Sequence, residues 1–134
     1  MTDPQSILEH ARHGAAPANW RVFTKKRGKL SGLLHGSSRD PDPLLVITPE
    51  GTVEYRDDRT PPDVVGFADL DGVELKVRGQ SFSDSSTVSI AVWLDLRYRG
   101  GGKAKWRPAA FGDDLQAIQG FLEAYGAHKA LRGG

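Results

Sequence analysis

The feature that most constrains this chain is a period-two alternation of apolar and polar residues, which begins at residue 44 and continues to about residue 107. Such alternation is typical of strands with one dry and one solvated face. It is clearest over residues 87–98. The dry face there would carry Val88, Ile90, Val92, Leu94 and Leu96, and the polar face Ser89, Ala91, Trp93, Asp95 and Arg97.

Turn-forming residues divide this region into antiparallel hairpins. Pro49-Glu50-Gly51 separates strands predicted over 44–48 and 52–56. A strand over 64–67 follows a proline-rich loop, and another covers 73–78. The triple glycine at 100–102 returns the chain from strand 87–98 into strand 103–107. With a first strand predicted over residues 20–23, the sequence indicates a mainly β protein with seven antiparallel strands.

The N-terminal segment predicts a short helix over residues 2–13. Thr2 or Asp3 would be its N-cap, Pro4 suits its first turn, and Gly14 would stop it. Its apolar face is narrow, so we expect residues 1–16 to form a mobile arm and linker that buries little and is dispensable for folding. A single domain would then cover residues 17–134. The apolar residues of the arm are Ile7, Leu8 and Ala11.

The C-terminal segment predicts a longer helix from about residue 113, with Asp113 and Gln116 at capping-box spacing. Apolar residues recur there every three or four positions and would pack on a sheet. Gly120 and Gly126 indicate either close packing or early fraying. The predicted stripe consists of Leu115, Ile118, Leu122 and Tyr125, widened by Phe121.

The composition fits one compact domain, because 134 residues with 38% hydrophobic and 26% charged residues are ordinary for a globular protein. The absence of cysteine excludes a disulfide scaffold, a thiol nucleophile and a cysteine-ligated metal. No apolar run approaches the roughly 18 residues of a membrane span, and the N-terminus lacks the pattern of a signal peptide. We therefore expect a soluble, cytoplasmic protein.

The order of elements over about residues 20–131 resembles the pleckstrin-homology-like (PH-like) fold, and its bacterial members in particular. This resemblance implies a seven-stranded, partly open antiparallel barrel of two near-orthogonal sheets, capped by the C-terminal helix. Because that fold hosts unrelated functions, the resemblance implies a binding or assembly role. The segments that carry it are LLVITPEGTVEYR, VELKVRG, TVSIAVWLDLRYRGGGKAKW and DDLQAIQGFLEAYG.

Charge is near balance at +1 but unevenly distributed, since residues 21–29 and 97–107 are basic windows without an acid. Pleckstrin-homology domains that bind phosphoinositides use a basic loop between their first two strands, where the resemblance places residues 25–29. The alternative is that these charges only keep exposed edges from pairing with other chains. The candidate binding residues are Lys25, Lys26, Arg27 and Lys29 in the first window, and Arg97, Arg99, Lys103, Lys105 and Arg107 in the second.

Trp93 interrupts the alternation because it lies on the polar face of its strand. We expect it to be buried beneath the C-terminal helix or the N-terminal arm, since tryptophan is commonly buried in part. The alternative is a contact residue for a partner, or a platform on which a base stacks. Trp106 is predicted to lie in the core.

The sequence contains no recognisable catalytic motif. His10 and His13 form no metal-site spacing with a carboxylate, and GKLSGLLHG fails the phosphate-loop pattern. We therefore predict no enzymatic activity, no metal and no cofactor. The leading hypothesis is a non-catalytic binding or scaffolding module that engages a protein partner or itself. The alternative is a site for an anionic ligand, either a lipid headgroup or nucleic acid, formed by residues 25–29 and 97–107.

Overall fold

The computed structural model describes residues 3–24, 42–81, 88–108 and 114–131. The predicted basic loop (Lys25, Lys26, Arg27 and Lys29) and the predicted cap Asp113 lie outside these ranges. Seven strands form two antiparallel sheets in the described residues, with a helix near each end, so the mainly β prediction is confirmed. The elements are α1 (Pro4–Arg12), β1 (Arg21–Thr24), β2 (Leu44–Thr48), β3 (Gly51–Tyr55), β4 (Asp63–Gly66), β5 (Leu70–Ser81), β6 (Val88–Tyr98), β7 (Lys103–Trp106) and α2 (Asp114–Leu131).

The strands pair in chain order within each sheet. Sheet A has the order β1-β2-β3-β4 and sheet B the order β5-β6-β7. No strand of one sheet pairs with a strand of the other within the described ranges, so the sheets do not close into a continuous barrel. The turn between β6 and β7 depends on Gly101, whose φ of 92° suits glycine, and on a 2.8 Å hydrogen bond from the Tyr98 N–H to the Gly102 carbonyl oxygen.

The main core joins one face of each sheet to α2. A single turn of 3₁₀ helix over Phe67–Asp69 connects the sheets and buries Phe67, whose ring centroid lies 5.3 Å from that of Phe121. Trp106 packs against the same Phe121 ring at 4.6 Å, which confirms its predicted core position. The buried residues of this core are Leu45, Ile47, Val65, Phe67, Leu70, Leu94, Leu96, Trp106, Ala117, Ile118 and Phe121.

The face that α2 buries agrees with the predicted stripe except at its first residue. Ile118 and Phe121 are in the main core, and Leu122 and Tyr125 pack against it, whereas Leu115 is 68% exposed. Small residues lie on the same face: Ala117 is fully buried, and a Cβ at Gly120 would press against side chains of β1 and β2. Gly120 therefore marks close packing. Fraying is excluded because the helix continues to residue 131.

The prediction that the N-terminal segment buries little is wrong. Ile7 and Leu8 of α1 are buried against the face of sheet A opposite the main core. The physical reason lies in β2, which is apolar at four successive positions and so needs cover on both faces. The residues buried in this second core are Ile7, Leu8, Leu44, Val46, Val53 and Tyr55.

Local contacts fix the ends of α1. The Asp3 carboxylate accepts a hydrogen bond from the Ser6 N–H at 3.3 Å, as expected of an N-cap. Gly14 follows the helix with a φ of 69°. Near the C-terminal end, the Arg12 guanidinium lies 4.4 Å from the centroid of the Tyr55 ring on β3, so α1 contacts the sheet along its length.

The predicted dry face of the β5–β6 hairpin is buried only in part. Leu94 and Leu96 are in the main core, but Leu75, Val77 and Ile90 are exposed. The hairpin strands are 12 and 11 residues long and those of β2 and β3 only five, so the hairpin extends past the core. None of the helices in the described ranges is long and apolar enough to span a membrane.

Candidate functional site

The candidate site is the polar face of sheet B. Cross-strand register places Glu74 beside Asp95, and Asp95 beside Lys105. One row away Arg97 pairs with Lys103. Because directly paired residues share a face of a sheet, these side chains project to the side opposite the buried Leu94 and Leu96.

Trp93 is the central aromatic residue of this face. Its Nε1–H donates a 2.9 Å hydrogen bond to Asp95 Oδ1, and the Lys105 ammonium lies 4.8 Å from its ring centroid. The first contact arises because residues two apart on a strand lie on the same face. The second is a cation–π contact, which contributes about 0.5–1 kcal/mol at an exposed site. These two contacts hold the indole in a fixed orientation.

Neither helix covers Trp93 in the part of the chain that the structure describes. The side chain is half-buried, but α2 packs on the opposite face of sheet B and α1 packs on sheet A. The Lys105 ammonium lies against the ring, and the half-buried side chain agrees with the expectation that it is buried in part. Its role as a contact residue stays a prediction.

A shallow depression of about 340 Å³ lies beside Trp93 on the same face. Gly72 shapes the region, because its lack of a side chain lets the exposed Arg97 guanidinium lie over the backbone there, and a Cβ would displace that flexible group. The lining residues are Glu74, Asp95, Arg97, Lys103, Ala104 and Lys105.

The structure brings together only some of the predicted cations. Arg97, Lys103 and Lys105 line the depression, and Lys105 links it to Trp93. Arg99 belongs to a different region, where its Nε–H donates a 3.0 Å hydrogen bond to the Ala68 carbonyl oxygen and supports the turn between the sheets. Arg107 is exposed just beyond the end of β7.

Sequence reasoning placed Asp95 on this face but named neither Asp95 nor Glu74 as a site residue. Asp95 lies just before the basic window 97–107, and Glu74 comes from β5. Glu74 accepts a 3.0 Å hydrogen bond from Lys76 Nζ, which raises the pKa of that lysine. The depression thus has both signs of charge. Writing the predicted β5–β6 pairing residue by residue would have found these acids.

A second polar cluster, on sheet A, is closed by its own contacts. Arg56 Nε donates a 2.7 Å hydrogen bond to the buried Glu54 carboxylate, and Arg56 Nη2 lies 3.2 Å from Asp63 Oδ2. The hydrogen bond to Glu54 is the main cause of the raised pKa of Arg56. This cluster neutralises a buried carboxylate and presents no open coordination. No group of three or more His, Asp or Glu within the described ranges could hold a metal ion.

Comparison of the chain with profiles of protein families, with characterised proteins and with solved structures yields no match. Function must therefore be inferred from the chemistry of the polar face itself.

Proposed function

We propose that this protein is a non-catalytic binding module that takes a protein partner on the polar face of sheet B. The observation that carries the proposal is the half-buried indole of Trp93, which contacts both Asp95 and Lys105. Tryptophan and arginine are the residue types that most often dominate binding energy at protein interfaces. Because its contacts fix its orientation, the ring loses little side-chain entropy on binding.

The surrounding charges favour a protein over a uniformly charged ligand. Glu74 and Asp95 supply acceptors, and Arg97, Lys103 and Lys105 supply donors, around a single depression. A partner surface with both signs of charge can pair with this arrangement in one orientation and is rejected in others. The proposed role is therefore recognition of one complementary surface.

The order of elements supports the further proposal that the fold is PH-like. Seven strands divide into sheets of four and three, and the C-terminal helix follows the last strand, as the resemblance implies. Helix α2 contributes to a core that includes residues of both sheets. The fold alone does not define a partner, so the proposed recognition site depends on the residues of the polar face.

The test is a comparison of Trp93→Ala with a matched control, Val64→Ala, which truncates an exposed apolar residue on sheet A. Each tagged protein captures partners from its native cells, and the partner enriched by wild type is purified and titrated by calorimetry. We expect Trp93→Ala to lose at least about 30-fold in affinity, since a hot spot contributes about 2 kcal/mol or more. Equal affinity of wild type and Trp93→Ala would contradict the proposal.

A second candidate function is binding of an anionic ligand, favoured by the three cations that line the depression. Lys103 and Arg97 pair across β6 and β7, with Lys105 one row away. Each phosphate of nucleic acid neutralised by such a cation lowers log affinity by about 0.7–0.9 per unit of log salt concentration. Lipid binding also weakens with screening.

The measurement is binding to single-stranded DNA and to anionic liposomes at about 50 mM salt, where electrostatic attraction is weakly screened. Arg97→Gln with Lys103→Gln should reduce both affinity and salt slope, and glutamine replacements of the basic residues in 25–29 test the other window. Absence of binding by the wild-type protein at this salt concentration eliminates the anionic-ligand function.

A further inference from the structure

The outer edge of β5 is unpaired among the described strands. β5 is the first strand in the order β5-β6-β7, so only its inner side forms ladder hydrogen bonds. The one register irregularity lies between Leu70 and Gly72, and from residue 73 onward the strand pairs regularly with β6. A long, regular edge with free backbone N–H and C=O groups is a template for another strand.

One face of the same hairpin has an exposed apolar surface. Leu75 is 49% exposed, Val77 63% and Ile90 64%. Register pairs Val77 with Val92, Leu75 with the buried Leu94 and Gly79 with Ile90, so all share the face that continues into the core. Adjacent exposed apolar side chains, unlike scattered single ones, mark an interaction surface.

We propose that β5 pairs in antiparallel fashion with β5 of a second copy of this chain, about a two-fold axis at Leu75. In this register Leu75 faces Leu75 of the second copy, and Val73 faces Val77. Glu74 faces Lys76, and the two-fold axis repeats this pair. The apolar rows of the copies then adjoin on one face and opposite charges adjoin on the other, so two three-stranded sheets become one of six strands.

The charge sequence selects this register among the alternatives. An axis at Lys76 sets Lys76 against its own copy, and an axis at Glu74 sets two carboxylates together. An axis at Val77 sets Lys76 against Arg78. An axis between two residues places the apolar face of one copy beside the polar face of the other. Of the axes at residues 74–77, the one at Leu75 places apolar side chains together on one face and pairs Glu74 with Lys76 twice on the other.

Charged side chains on an edge strand commonly prevent it from pairing with another chain. In the proposed dimer the charges of β5 instead meet opposite charges on the second copy. Edges are usually protected by lysines, prolines or bulges. Over residues 73–79 β5 contains no proline and no register shift, and Glu74 and Lys76, which flank Leu75 on the polar face, have opposite charges. A strand with this pattern complements itself when reversed. The inference concerns the edge and apolar face of the hairpin, and Glu74 is the residue that it shares with the proposed partner site.

Cysteine cross-linking tests the register, since the chain has no native cysteine. In Leu75→Cys the two thiols face each other across the axis with Cβ atoms about 4.5–5.5 Å apart, close enough for a disulfide after a small shift. In Val77→Cys they are four residues out of register, about 13 Å apart. We expect a covalent dimer on mild oxidation of Leu75→Cys and none of Val77→Cys. Cross-linking of Val77→Cys alone would overturn the proposal.

Charge exchange tests the same register without a new covalent bond. Sedimentation equilibrium of the wild-type protein should show a concentration-dependent dimer. Glu74→Lys and Lys76→Glu should each raise the dimer Kd at least about tenfold, because like charges then face each other twice. The double exchange should restore it, while Glu9→Lys on α1, a matched control, leaves it unchanged.

Two results would overturn the inference outright. One is a wild-type chain that remains monomeric up to about 1 mM, where a dimer with any lower Kd would be populated. The other is a dimer on which neither single charge reversal has an effect, which would place the contact elsewhere. Dimerisation of Trp93→Ala at the wild-type Kd separates this surface from the partner site, so either proposal can fail without the other.

Discussion

The N-terminal helix provides the sharpest test of the fold, through the substitution Leu8→Ala. Leu8 is 0% exposed and packs with Ile7 between α1 and the outer face of sheet A. Truncation of a buried leucine to alanine removes its transfer free energy and leaves a cavity, which together cost about 2–5 kcal/mol. We expect about 3 kcal/mol, well inside this range, because the Arg12–Tyr55 contact restrains α1 from moving inward to fill the space.

For a chain of this length a loss of 1 kcal/mol lowers the Tm by about 4 °C, so Leu8→Ala should melt about 12 °C below wild type. Thermal unfolding is followed by circular dichroism at one fixed protein concentration, since self-association would shift the Tm. Glu9→Ala, an exposed position on the same helix, is the control and should change stability by less than about 0.5 kcal/mol. A Tm of Leu8→Ala within about 2 °C of wild type would refute this account of the second core.

Two further measurements test other parts of the structure. Phe121→Ala should cost about 3–5 kcal/mol, measured by urea unfolding, while Leu115→Ala on the exposed side of α2 costs under about 0.5 kcal/mol; equal costs would contradict the burial of Phe121 and the exposure of Leu115. Asp57 accepts hydrogen bonds from the Arg59 and Thr60 backbone N–H groups at 2.8 and 2.9 Å and from Thr60 Oγ1 at 3.0 Å, which lower its pKa, the Arg59 bond most. Its stabilising contribution is therefore present above the unfolded-state pKa of about 3.9 and is lost as the pH falls through the lower folded-state pKa. A carboxyl titration by NMR checks this, with Asp57→Asn as control, and a folded-state pKa at or above 3.9 would contradict it.

The strands and helices followed from the sequence because their signals are local. Pro49 and Gly51 bound a tight hairpin, and alternation over residues 87–98 located β6 within a residue. The burial of α1 depends instead on the strands of sheet A against which the helix packs. Its apolar face looks small in isolation, yet β2 has no polar residue from Leu44 to Ile47, and an uninterrupted apolar strand indicates cover on both faces.

Periodicity located most of the buried face of α2 but missed its small residues. Large apolar residues defined the predicted stripe, and Ile118, Phe121, Leu122 and Tyr125 are indeed in or against the core. Ala117 and Gly120 are buried as well, whereas Leu115 is exposed. Close approach is a property of two surfaces together, so a pattern on one element cannot specify it.

The residues of the candidate site could be predicted from the sequence only where they lie on strands that are neighbours in the chain. Trp93, Arg97, Lys103 and Lys105 were identified from one hairpin, because β6 and β7 are neighbours in the chain. Glu74 reaches the site through β5, so a count of charges along the sequence did not include it. The charge on one face of a sheet is the sum of the charges that all its strands place there. Which charges these are depends on the register between the strands.

The double cover of sheet A has a consequence for hydrogen exchange. Strand β2 pairs with β1 and β3, and its side chains pack towards α1 on one face and α2 on the other. Detachment of either helix still leaves the opposite face covered. Amide protons of β2 should therefore exchange only through global unfolding, whereas those of each helix exchange at the free energy of its own detachment. The difference in protection between α1 and α2 would then report which of the two cores opens first.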